Sequence, residues 1–283
     1  MACIQWVESA FFWAQNNEMA MKKISFLLTL ALAARLGAAE TPRPNEAAAS
    51  KTNVPDAGKN EAAAIPDATH KPVFATNSIT IAGAAVTYVA ETGMLPILAP
   101  TGSVRASVFY VAYTRTDQTN KAARPVTFCF NGGPGSASVW LHLGAFGPRR
   151  VKMNENGTLP PPPFGLADNE YSILDKSDLV FIDPVATGFS RPAKDEKVDE
   201  FLGNSGDLDS VGEFIRLWTT RHDRWLSPKY LCGESYGVFR AAGLAQHLSS
   251  RYGMYLNGLI LVSGVLDFAT IYDNPGNDVP YPL

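Results

Sequence analysis

A serine framed by glycines, Gly233-Glu234-Ser235-Tyr236-Gly237, stands directly after the apolar run Lys229-Tyr230-Leu231-Cys232. The pattern reads as a nucleophile elbow, where a strand ends, turns sharply and starts a helix with serine at the apex. Glycine is required at both ends because so tight a turn leaves no room for side chains. An ordinary strand-to-helix turn containing serine would carry the same letters, so the surroundings decide. A short apolar strand precedes the motif, and Ala241, Ala242, Leu244, Ala245 and Leu248 follow at core-face helical spacing. A second segment, Phe128-Cys129-Phe130-Asn131-Gly132-Gly133-Pro134-Gly135-Ser136, sets a glycine-rich loop at the carboxyl end of another apolar strand. Such a loop can aim backbone N–H groups at developing negative charge.

The elements that must position these segments alternate along the chain. Residues 78–81 and 85–89 flank Gly83 as a hairpin, and 107–113 is a further strand. Strands over 125–130, 178–183, 229–232 and 256–262 then interleave with helices over 207–225 and about 238–251. Full apolar strands alternating with helices predict a parallel sheet covered on both faces. In helix 207–225, Leu208, Val211, Ile215, Trp218, His222 and Trp225 recur on one stripe. His222 on that stripe reads as a partly buried structural histidine.

Composition narrows the classes. The 283 residues are 46% hydrophobic and 18% charged, enough for a sizeable core in one or two domains. A net charge of −3 with no basic stripe excludes nucleic acid as a partner. No apolar stretch reaches the roughly 18 residues that span a bilayer. Cys129 and Cys232 fall on two predicted buried strands, as small core hydrophobes or as a bridged pair. Neither C-x-x-C spacing nor a disulfide framework is present, so neither a metal site nor a cofactor is expected. Met21-Lys22-Lys23 followed by the apolar run 24–32 has the form of a secretory signal, with Gly37-Ala38-Ala39 as its cleavage region. The expected organisation is a start read too early over 1–20, a signal peptide over 21–39, a flexible linker over 40–72 and a domain over 73–283. Export to the periplasm or the exterior follows from the leader, with no membrane span after its removal.

A third segment, Asp178-Leu179-Val180-Phe181-Ile182-Asp183-Pro184-Val185-Ala186-Thr187-Gly188-Phe189-Ser190, is another strand with a loop behind it. Together with the elbow and the glycine loop, it resembles the serine carboxypeptidases of peptidase family S10, over roughly residues 80–283. Asn169-Glu170-Tyr171-Ser172 is similar to the family's Asn-Pro-Tyr-Ser stretch. The resemblance implies an α/β-hydrolase fold: a mostly parallel sheet with an N-terminal antiparallel hairpin, here cut before its last strands. It implies Ser235 as nucleophile, with an oxyanion hole from the backbone N–H groups of Gly133 and Tyr236. It also implies that Asn131 and Glu234 hold the terminal carboxylate of a peptide or protein substrate. Asn131 could also stabilise its own loop, and the two roles could coexist. Two carboxylates a hydrogen bond apart must share a proton, so an acidic optimum is expected for peptides and not for esters.

The sequence departs from the family at Ser136 (often cysteine), Ala145 (often a glutamate beside the substrate carboxylate) and Ala186 (usually glycine). Arg240 reads as a solvated or salt-bridged helix residue, with positive charge near the site as the sharper alternative. The fold needs Asp and His after the serine. Only His247 follows it, about 18 Å along the elbow helix at the helical rise. His142 and His222 read as structural, His70 falls in the spacer, and Asp267, Asp273 and Asp278 come too early. The expectation is therefore the N-terminal portion of a longer carboxypeptidase. A lipase, esterase or acyltransferase on the same scaffold, or an inactive fragment, are the alternatives.

Overall fold

The computed structural model describes residues 71–264. The predicted leader, the spacer up to residue 70, His70, Asp267, Asp273 and Asp278 lie outside the described residues.

The first three strands form an antiparallel meander: β1 (Val73–Ile81), β2 (Ala84–Leu98) and β3 (Val104–Arg115). Ala82 and Gly83 join β1 to β2 with φ of 49° and 81°, the handedness that a two-residue hairpin turn needs. Pro96 sits in β2 beyond Thr92, the last residue paired with β1, where that side of the strand has no ladder to break.

The rest of the chain supplies β4 (Val126–Phe130), β5 (Arg149–Val151), β6 (Leu166–Asp168), β7 (Asp178–Ile182), β8 (Arg191–Pro192), β9 (Lys229–Glu234) and β10 (Gly258–Val262). The main sheet runs β1-β2-β3-β7-β4-β9-β10, with β8 added against β3. β7, β4, β9 and β10 are mutually parallel, and β3 joins them antiparallel through β7. The antiparallel portion is thus a three-stranded meander, larger than the predicted hairpin. Strands β5 and β6 make a separate two-stranded ribbon. Residues 153–159 make a turn closed by Asn154 N donating to the Thr158 carbonyl at 2.9 Å.

Helices are α1 (Val139–Leu141), which continues into one π-helical turn (His142–Phe146), α2 (Asp199–Leu202), α3 (Asn204–Arg221) and α4 (Tyr236–Tyr252). The strand pleat sends alternate side chains to opposite faces. Val126, Phe128 and Phe130 of β4 therefore join one core with Phe214, Ile215 and Trp218 of α3 and Leu244 of α4. Cys129 and Cys232 point the other way, into a second core with Leu141, Leu174 and Phe181. Both cysteines are buried and free, which removes the bridged alternative.

Helix α3 starts and stops earlier than the stripe 207–225 suggested. His222 caps it, Asp223 turns the chain at φ 55°, and Trp225 is 42% exposed, off the packing face. His222 stacks on Trp218, and its ring nitrogens face the Trp218 carbonyl at 2.8 Å and the Glu91 carboxylate at 2.9 Å. At the amino ends of the parallel strands, buried Asp178 takes hydrogen bonds from both Arg124 and Arg224. Each charge of this cluster has a partner, which burial demands. Among the described residues no helix is long and apolar enough to cross a membrane.

Candidate active site

At the carboxyl ends of β4, β7 and β9, the opposite pole, three loops meet. This is the edge where an open parallel sheet offers a crevice. Ser235 lies at the junction of β9 and α4 with φ 56° and ψ −122°. An L-residue tolerates so strained a conformation only where the surroundings impose it. Ser235 N donates to the Val262 carbonyl at 3.0 Å, and the Ser235 carbonyl accepts from Val238 N at 3.0 Å. Its hydroxyl makes no capping bond to the helix it precedes. The flanking glycines answer to sterics. A Cβ on Gly233 would stand 2.0 Å from the Gly237 carbonyl oxygen, and one on Gly237 would stand 2.9 Å from that of Phe130.

The glycine loop after β4 presses against this turn. A Cβ on Gly132 would meet Tyr236 N at 2.4 Å and the Glu234 carbonyl oxygen at 2.7 Å. Gly133 and Gly135 adopt φ of 103° and 110°, and the Gly133–Pro134 peptide is cis. Gly133 is exposed at the mouth, while Ser235 and Tyr236 are half-buried. Helix α4 begins at Tyr236, so its first amides have no helical acceptor and carry the positive end of the helix dipole.

Asn131 is completely buried. Its Nδ2 donates to Glu234 Oε2 at 3.0 Å, and its Oδ1 accepts from Leu141 N at 3.0 Å. The structure thus joins Asn131 to Glu234, beside Ser235, and packs Gly132, the neighbour of Gly133, on the Tyr236 amide. Asn131 also serves its own loop.

Two further residues frame the site: Asp183, which had no role in the sequence reading, and Arg240, which was read as a solvated or salt-bridged helix residue. Asp183, just after β7, accepts from Ser138 N at 2.9 Å and from Phe189 N at 3.4 Å. Burial raises its carboxyl above the usual range, against the pull of those two amides. Gly188 is obligatory beside it, since a Cβ there would overlap Asp183 Oδ2 at 1.8 Å. Arg240 is the second. It is salt-bridged as anticipated, with Asp207 at 2.8 Å, but it is buried and not solvated. Its partner lies 33 residues upstream on another helix, a pairing no periodicity reveals. Nor was the latch formed by Asn169 legible: its Nδ2 donates to the Ala145 and Gly147 carbonyls at 2.7 and 2.8 Å.

No described histidine is placed to serve Ser235. His142 Nε2 meets the Tyr113 hydroxyl at 2.6 Å while its ring stacks on Phe181. His222 is engaged by Glu91, and His247, on the far stretch of α4 and without a hydrogen bond to its Nε2, faces Asp209 of α3 at 3.6 Å. Among the described residues no His, Cys, Asp and Glu cluster could hold a metal ion.

Comparison with known proteins gives one consistent result. A family model described as serine carboxypeptidase matches residues 91–277. Serine carboxypeptidase-like 16 of Arabidopsis thaliana is 29% identical over 191 residues, 62% of this chain and 42% of its own. Pheromone-processing carboxypeptidase KEX1 of Saccharomyces cerevisiae is 40% identical over 136 residues, 45% of this chain and 17% of its own. The solved structure of KEX1(delta)p, a prohormone-processing carboxypeptidase from Saccharomyces cerevisiae, superposes with a TM-score of 0.50 at 27% identity, covering 65% of this chain and 40% of that one. The chain therefore spans about two-fifths or less of the length of these relatives.

Proposed function

This chain belongs to the serine carboxypeptidase family, and on that premise we propose that the protein removes C-terminal residues from peptides through an acyl-enzyme on Ser235. The predicted leader supports an exported enzyme, periplasmic or extracellular. The observation that carries the reading is the strained Ser235 turn with the Gly132 backbone packed on Tyr236 N. In this assignment Ser235 Oγ attacks the last peptide carbonyl carbon, and the electron pair of the C=O bond moves onto oxygen. Amide hydrogens of Gly133 and Tyr236 receive that oxyanion, each contribution being about 3–4 kcal/mol in such sites. The Oγ proton passes through a base to the departing amine, and the C–N bond breaks. Water then repeats the attack and frees the serine. With the described histidines engaged elsewhere, the base and its orienting carboxylate are assigned outside the described residues. Asn131 and Glu234, already hydrogen-bonded to each other, would turn toward the substrate's terminal carboxylate.

The test pairs a fluorophosphonate label with two substrates, an N-blocked dipeptide with a free C-terminus and its C-terminal amide. Labelling should fall on Ser235 and vanish in Ser235→Ala, and only the free-carboxylate dipeptide should be cleaved. Cleavage of neither dipeptide by a labelled Ser235 that still turns over an ester would replace the peptidase reading by an esterase or acyltransferase, and equal cleavage of both would remove the demand for a terminal carboxylate. An unlabelled Ser235 in the full-length protein would end the peptidase reading.

A further inference from the structure

Behind the turn that carries Ser235 lies a cation that the mechanism above does not use. Arg240, in the second turn of α4, is 3% exposed. Its Nε donates to both carboxylate oxygens of Asp207 at 3.0 and 2.8 Å, and its Nη1 donates to the Asn131 carbonyl at 2.6 Å. The guanidinium carbon stands 5.4 Å from the ring centre of Phe130 and 5.4 Å from that of Tyr236. One side chain thus touches the end of β4, the first peptide of the glycine loop, the first residue of α4 and the first turn of α3.

We propose that Arg240, held in place by Asp207, is a positioning residue for the oxyanion-binding loop. It fixes the Asn131 carbonyl and the Tyr236 ring, and so sets the spacing between the Gly133 and Tyr236 amides. The inference rests on the roles given to Ser235, Gly133 and Tyr236 above. Its physical ground is the number of tasks the guanidinium performs. A pair serving stability alone would need only Asp207 and could be exchanged for apolar side chains of like volume. Here the planar fork also grips a loop carbonyl and stacks on aromatic faces, which lysine cannot reproduce. The gap it spans is narrow: a Cβ on Gly237 would be 3.2 Å from the Asn131 carbonyl oxygen. A shift of the loop relative to the helix by even 1 Å can lower a rate by about 100-fold.

Two double variants of the full-length protein separate this role from folding. Arg240→Met with Asp207→Leu removes both charges, whereas Arg240→Gln with Asp207→Asn keeps a donor for the Asn131 carbonyl. The readout is kcat per fluorophosphonate-titrated serine on an ester without a free carboxylate, which takes unfolded molecules out of the count. The apolar pair should lower kcat by about 10- to 100-fold with KM changed less than about three-fold. The amide pair, which keeps a donor but neither the planar fork nor its stacking, should fall at least about three-fold below the wild type and remain above the apolar pair. If either pair, titrated this way, stays within about two-fold of the wild-type kcat, Arg240 positions nothing. If the apolar pair yields no titratable serine, the amide pair decides by the same limit. A wild-type protein that neither labels nor turns over would instead remove the reading of Ser235.

Discussion

The serine hydroxyl stands clear of the helix below it because Ser235 is forced to φ 56° and ψ −122°. That conformation is imposed by glycines whose absent side chains are the condition for the turn. Gly233→Ala should therefore destabilise the protein by more than about 2 kcal/mol, since its methyl would press on the Gly237 carbonyl, and backbone cannot retreat like a side chain. Urea denaturation measures this directly, and an unchanged midpoint would contradict the steric account. Asn131 offers a second test. Asn131→Asp keeps size and the acceptor for Leu141 N but sets a carboxylate against Glu234 in place of the Nδ2 donor. KM for a free-carboxylate peptide should rise about 10- to 100-fold, the range for losing a hydrogen bond to a charged group. An ester without that carboxylate should keep its KM within about three-fold. Equal losses on both substrates would mean that Asn131 serves only its loop.

Among the elements, the loops between strands carry what the strands could not specify. Asn169 is buried and holds the 145–147 backbone through two hydrogen bonds, while Ser172 Oγ donates to the Phe146 carbonyl at 2.7 Å. Asn169→Ala should cost about 2–4 kcal/mol through two orphaned carbonyls, read as a lower urea midpoint with the m-value unchanged. Ala186, where the family usually has glycine, lies at φ 68°. Ala186→Gly should gain about 0.5–1 kcal/mol by relieving the left-handed strain, less the added freedom of the unfolded chain. A loss on the same assay would show that the Ala186 methyl packs usefully. These loops also mark the limit of sequence reading. The strands, the hairpin at Gly83 and the elbow were legible because apolar runs and the glycines that bound them are local signals. The end of α3 was not, since Trp225 fits the helical stripe although Asp223 has already turned the chain. Arg240 and Asp207, or Asp183 and Ser138, meet only through tertiary packing, and a linear pattern cannot register such a partnership.

Across the whole molecule, buried titratable groups decide how the fold answers acid. His142 lies against Phe181 and Tyr113, and burial pushes its imidazole down to about 4. Between that value and the ordinary 6.5 the unfolded chain binds a proton that the folded chain refuses, so stability falls as pH drops through this window. Glu91 acts in the same direction lower down. Burial alone would raise it, but hydrogen bonds from His222 and Tyr110 overcome this and hold it below its usual value. Its contribution is present above 4.5 and is lost as pH falls through its folded value. Asp183 and Asp207 oppose both, because burial holds them above the ordinary carboxyl range and the folded state takes up their protons first. Those two act toward the acid end, which leaves His142 to dominate just below neutrality. His142→Gln keeps a polar partner for the Tyr113 hydroxyl and removes the titration. Between pH 7 and pH 5 the wild type should therefore lose about 1–2 kcal/mol more than the variant in paired urea titrations, the span from 6.5 down to pH 5 being worth about 2 kcal/mol before solvent screening. Parallel losses in the two proteins would show that His142 admits a proton without leaving its place between Tyr113 and Phe181, and the acid sensitivity of the fold would then have to lie with its carboxylates.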